Sequence, residues 1–122
     1  MTDQLWKGVF ISEALEDPRI LYGFTCTKIK ITSDQLPLDD KGTKGRWHMY
    51  WIQAMESDFD LFANNMKYNG YGHFWKDNTI QAIFQKRIFE LDKHDKDTWS
   101  EAIAFGLSQN IEAGQLDFLT ED

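Results

Sequence analysis

One cysteine in 122 residues, Cys26, rules out an internal disulfide, so folding does not depend on an oxidising compartment. Two prolines and eight glycines exclude a collagenous or low-complexity chain. No apolar run approaches the roughly 18 residues that a membrane-spanning helix requires. The first residues lack both the basic and the long apolar region of a secretory signal. A cytoplasmic chain that avoids membranes is the resulting expectation. The Gly-x-Gly-x-x-Gly, Walker A and Gly-x-Ser-x-Gly patterns are missing too, so dinucleotide, nucleoside-triphosphate and α/β-hydrolase chemistry lack their signatures. No cofactor is expected.

Basic charge is scarce where it would be needed for nucleic acid. Thirteen Lys and Arg against twenty Asp and Glu give a net charge of −7. Residues 1–76 are near neutral, with ten acids and nine bases, whereas residues 77–122 carry ten acids and four bases. No Lys or Arg follows Lys96, so the C-terminal third repels phosphate backbones and anionic headgroups. Lys41, Lys44 and Arg46 flank Trp47 and Trp51, but three bases beside a turn read as a solvated tip. No nucleic-acid partner is expected.

What is present is apolar and aromatic, at 42% and 15% of the chain, enough to fold one core but not two. The chain therefore reads as a single domain over 1–122. Residues 1–21 form an N-terminal arm and turn, in which Leu5 to Ile11 reads as a short strand or an extended arm, 22–110 the core of sheet and helices, and 111–122 an acidic C-terminal arm. Tyr22 to Thr32 has a strand composition. Its apolar phase changes midway, from Phe24 and Cys26 to Ile29 and Ile31, which predicts a β-bulge near Thr27. Residues 33–45 are polar and read as a loop containing Asp39 and Asp40. Arg46 to Ala54 is apolar or aromatic on both faces, as in the interior of a sheet. Ser57, with Asp60 three residues on, starts an amphipathic helix over 58–67. Tyr71 to Trp75 and Ile80 to Phe89 predict a hairpin across Lys76-Asp77-Asn78-Thr79. Asp97 or Thr98, with Glu101, caps a last helix whose inner face carries Trp99, Ala102, Ile103 and Gly106. Residues 115–119 read as an edge strand or an arm.

From Arg46 onward this order is a split β-α-β pattern. It predicts an α+β, ferredoxin-like antiparallel sheet with both helices packed on one face. Strand 22–32 then takes the edge beside 46–54, in preference to the C-terminal segment. Such a sheet leaves an aromatic second face to be covered by an arm or by a second copy of the chain.

The densest cluster of chemistry-bearing residues is Tyr68 to Trp75. Alternation along a strand puts Tyr71, His73 and Trp75 on one face. His48 and Tyr50 of strand 46–54 are candidates to join them, with Trp51 as a further lining residue. An imidazole among such rings suits acid–base work or the binding of a small apolar ligand, with His73 as the acid or base. His48, His73, His94 and Cys26 fall at no metal-ligand spacing, so no metal site is expected, and Cys26 reads as a buried, inert thiol.

Two functions from different classes follow. The preferred one is a non-enzymatic binding or regulatory module whose aromatic sheet face engages a second copy, forming a homodimer, or a protein partner. The other is a small cofactor-free enzyme or ligand-binding protein. Its aromatic pocket is lined by His48, Tyr50, Trp51, Tyr71 and Trp75, with His73 as acid–base.

Overall fold

The computed structural model describes residues 5–38, 41–118 and 120. Residues 1–4, Asp39 and Asp40 of the expected loop, and Leu119, Glu121 and Asp122 of the C-terminal arm lie outside the described residues. Eight strands occur: β1 (Trp6–Ile11), β2 (Thr25–Ile31), β3 (Leu36–Pro37), β4 (Lys44–Gly45), β5 (His48–Ala54), β6 (Gly72–Lys76), β7 (Thr79–Phe84) and β8 (Arg87–Asp92). The helices are α1 (Phe59–Asn64) and α2 (Ser100–Ser108). Six strands form one antiparallel sheet in the order β2-β5-β1-β6-β7-β8, and β3 pairs β4 within the polar loop.

This α+β sheet does not have the ferredoxin-like strand order. Leu5–Ile11 is not an arm, because β1 sits in the sheet interior, antiparallel to both β5 and β6. Those two strands are consequently parallel to each other and joined through α1. The split β-α-β unit exists, but its inserted strand comes from the N-terminus.

Cross-strand pairing fixes the two faces. Trp6, Gly8 and Phe10 share one with Ile52, Ala54, Phe74 and Ile83, where Phe59, Phe62, Ala63 and Met66 of the α1 region pack. Val9, Trp75, Ile80, Ala82, Phe84 and Leu91 lie on the other, under Trp99, Ala102, Leu116 and Phe118. The helices therefore cover opposite faces of the sheet rather than the same one. A helical stripe records that one side is buried, not which face receives it.

Close packing on the α1 face depends on two glycines. Gly8 pairs with Phe74 across β1 and β6, and a Cβ on Gly8 would lie 2.5 Å from Phe74 Cδ1. Reciprocally, a Cβ on Gly72 would meet the Phe10 ring. Each strand thus lends a bare backbone position to the other's phenylalanine, and the two rings meet at 5.0 Å between centroids.

The β2–β5 ladder shifts register between Cys26 and Lys28, the bulge that the phase change implies. β2 occupies the sheet edge, so Cys26 is exposed rather than buried, its thiol directed at the Lys28 carbonyl at 3.5 Å. Ile80 to Phe89 is not one strand: the chain reverses at Gln85-Lys86, with Lys86 at φ 58°, to form a second hairpin. α1 starts differently from expectation, with the Asp58 carboxylate accepting the Met55 amide at 2.9 Å. α2 is entered through a 3-10 turn, Lys96–Trp99, in which Asp95 accepts the Asp97 amide. It ends with Asn110 at φ 65°; the Ile111 amide bonds the Gly106 carbonyl and the Asn110 amide bonds Leu107, a Schellman closure. That turn sends residues 111–118 back across the sheet. No helix among the described residues is long and apolar enough to cross a membrane.

Candidate functional site

The cluster beneath α2 and residues 111–118 is built on β6, β7 and β8, with Val9 and Trp51 packed at its margin. Beyond it, β1, β5 and β2 continue with no helix over them, and the step between covered and bare sheet forms an open cavity of about 310 Å³. Its floor is apolar: Val9 and Ile11 from β1, Met49 and Trp51 from β5. These four share a face because Val9 pairs with Trp51 and Ile11 with Met49. Lys28 and Lys30 of the edge strand rise along one side, opposite Trp51 and Met49. Tyr71, Gly72 and His73 form the far wall, joined by Asp117 from the returning C-terminal segment.

The wall is held rigidly. Tyr71 donates its hydroxyl proton to the Gln115 carbonyl and packs against Phe84 and Phe118. Burial pushes the Tyr71 hydroxyl up to about 12; a hydrogen bond from the Asp117 backbone opposes this rise and the Asp117 carboxylate adds to it. The phenol therefore stays protonated at neutral pH and offers no base. His73 is buried at 4% exposure, its ring 5.5 Å from Trp75 and 5.8 Å from Phe118. Across the floor, the Lys28 ammonium stands 4.6 Å over the Trp51 ring.

Of the residues expected at a site, Trp51, Tyr71 and His73 converge on this cavity. Trp75 shares their face but lies deeper, in the apolar cluster beneath Trp99 and Phe118. His48 and Tyr50 do not join them. His73 pairs with Val9 and Val9 with Trp51, so the residues of β5 alternating with Trp51 point to the opposite face. There Tyr50 packs against the α1-side core, and Glu13 grips His48 through both its amide and its Nδ1, each at 2.7 Å. A paired-histidine site is thereby removed.

Val9, Ile11, Met49, Lys28, Lys30 and Asp117 were not among the expected site residues. One signal was present: in Lys28-Ile29-Lys30-Ile31, period-two alternation puts both lysines on one face. The remainder depends on β1 pairing between β5 and β6, which no local pattern specifies. Among the described residues no three His, Cys, Asp or Glu side chains converge to hold a metal ion. No protein-family model, curated protein or solved structure matches this chain.

Proposed function

We propose that this protein is a non-enzymatic binding module that takes a small molecule in the cavity over β1, β5 and β2. The observation carrying this reading is the convergence of Trp51, Tyr71 and His73 with Val9, Ile11 and Met49 around about 310 Å³ of open space. That volume falls at the small end of ligand pockets, which span about 300–1,000 Å³. An apolar floor with a few polar groups at its ends is the usual composition of such sites. The chain's own C-terminal segment covers the rest of the aromatic face, which favours a small occupant there over a second protein. An acid–base role for His73 gains less support, because His48 and Tyr50, its expected partners, lie on the opposite face of the sheet.

Thermal unfolding against small organic acids, amines, sugars and nucleosides tests the proposal. A ligand at a hundredfold its dissociation constant adds about 2.7 kcal/mol, a shift of several degrees. At least one compound stabilises the wild type and leaves Met49→Trp, whose indole fills the cavity, unmoved. A panel that shifts neither protein, or shifts both equally, counts against the cavity. A compound whose covalent turnover stops in His73→Gln would restore the enzymatic reading.

Self-association has its own supporting observation on a different surface. Ile29 and Ile31 of the free edge strand, together with Tyr22, are exposed apolar residues. Sedimentation of wild type against Ile29→Glu/Ile31→Glu tests it, and a monomer in both ends that reading.

A further inference from the structure

We infer that the ligand of this cavity is a small amphipathic anion, with an aromatic or aliphatic body on the Val9–Met49–Trp51 floor and a carboxylate toward Lys28 and Lys30. The inference rests on the ligand-binding reading above and adds the charge class to it.

Three observations carry it. Lys28 and Lys30 stand two residues apart on β2, so both stems rise from the same face, beside the cavity rather than away from it. The Lys28 ammonium, on an exposed strand, lies over Trp51 at the edge of the apolar floor. Among the described residues no carboxylate pairs with either lysine. Among the described lining residues the one acid, Asp117, enters beside Tyr71 and the β6 wall, and β2 lies three strand spacings, about 14 Å, from β6.

The opposite ligand charges fit poorly. An ammonium could meet Asp117 only at the β6 wall; over the floor it would approach two lysines, and the Trp51 ring face that could attract it is already under Lys28. A neutral apolar molecule would fill the floor but leave both lysines without a counter-charge. A carboxylate on an apolar body answers the lysines and the floor together, and keeps its charge away from Asp117. On a chain of net charge −7, this pair of lysines is a local inversion, so anions meet attraction here and repulsion over the acidic C-terminal third.

The test holds the body constant and varies the head. Naphthoate, naphthalenemethanol and naphthylmethylamine, with the octanoate, octanol and octylamine series beside them, are titrated calorimetrically into the full chain. In at least one series the carboxylate binds about tenfold tighter than the alcohol, with the amine weakest. Lys28→Gln/Lys30→Gln brings the carboxylate down to the alcohol and leaves the alcohol unchanged, while Lys28→Arg/Lys30→Arg keeps the preference. High salt shrinks the preference, as screening requires. Equal binding of all three heads, removed by Met49→Trp, overturns the charge class and leaves the cavity reading standing. Binding by no compound, or binding indifferent to Met49→Trp, overturns both.

Discussion

Adding one methyl group at Gly8 tests whether the pairing of β1 with β6 depends on a bare backbone. The new Cβ would sit 2.5 and 2.7 Å from Phe74 Cδ1 and Cε1, and 3.2 Å from the His73 carbonyl oxygen. Phe74 cannot step aside easily. It is fully buried, with ring centroids at 4.5 Å from Phe59, 5.0 Å from Phe10 and 5.4 Å from Phe62. Overpacking of this kind costs about 1–3 kcal/mol, and a ring boxed in on three sides belongs to the upper part of that range. Replacing a strand glycine by alanine returns about 0.5–1 kcal/mol through the unfolded chain. The expected net loss for Gly8→Ala is therefore about 2 kcal/mol, roughly 8 °C in Tm for a domain of this length. Urea unfolding followed by tryptophan fluorescence measures it. Combining Gly8→Ala with Phe74→Leu should recover about 1 kcal/mol relative to the sum of the two single changes. Recovery remains partial because the His73 carbonyl stays in place. A Gly8→Ala protein as stable as wild type, or a strictly additive cycle, would refute the packing argument.

Tyr71→Phe leaves the half-buried Gln115 carbonyl without its donor and should cost about 1 kcal/mol in thermal unfolding. Because the folded Tyr71 hydroxyl ionises above its unfolded value of 10, its contribution is fully present below pH 10 and is lost as pH rises toward 12. Ultraviolet titration should show a tyrosine ionising near 12 that Tyr71→Phe lacks. Glu13→Ala strips the His48 amide of its acceptor and should lower stability by about 1–3 kcal/mol in urea, whereas the same change at exposed Glu101 should be near neutral. Lys86 holds φ 58°, so Lys86→Gly should stabilise the β7–β8 hairpin by up to about 1 kcal/mol; a loss of stability there would contradict the backbone reading.

Period-two patterns proved most informative where one strand could be judged by itself. The switch from Phe24 and Cys26 to Ile29 and Ile31 located the bulge, and apolar residues on both sides of 46–54 marked an interior strand. Alternation also grouped Tyr71, His73 and Trp75 on one face. What local patterns do not contain is the relation between strands. Whether His48 shares a face with His73 depends on the register of β1 against both β5 and β6, and β1 had been assigned to an arm. Six residues interrupted by Lys7 and Gly8 do not announce a central strand; burial of Trp6, Gly8 and Phe10 against α1 does. The β7–β8 turn escaped notice for a simpler reason. Gln85-Lys86 carries neither glycine nor asparagine, although Lys86 takes the left-handed conformation those residues favour. Half the cavity was therefore legible, the half that belongs to β6 and Trp51. The lysine side required knowing which strand forms the edge.

A strand made first and placed at the centre shapes how this chain must be synthesised and folded. Trp6 pairs with Ala54 and Lys7 with Trp75, so β1 has no sheet partner until translation has passed two distant segments. A nascent chain consequently carries Trp6, Val9 and Phe10 unpaired until residues 49–54 have been made, and with one neighbour missing until residues 73–75 follow. Such non-local closure is slow compared with hairpin formation and exposes apolar surface to other nascent chains. The β6–β7–β8 meander can form by itself once made, and β2 can pair β5 across the polar loop. The cavity takes Val9 and Ile11 of its floor from β1, so it is complete only once that strand lies between β5 and β6. A ligand bound there would act as a clasp on β1 between its two neighbours, so its presence during refolding should raise the yield of native protein as well as its melting temperature.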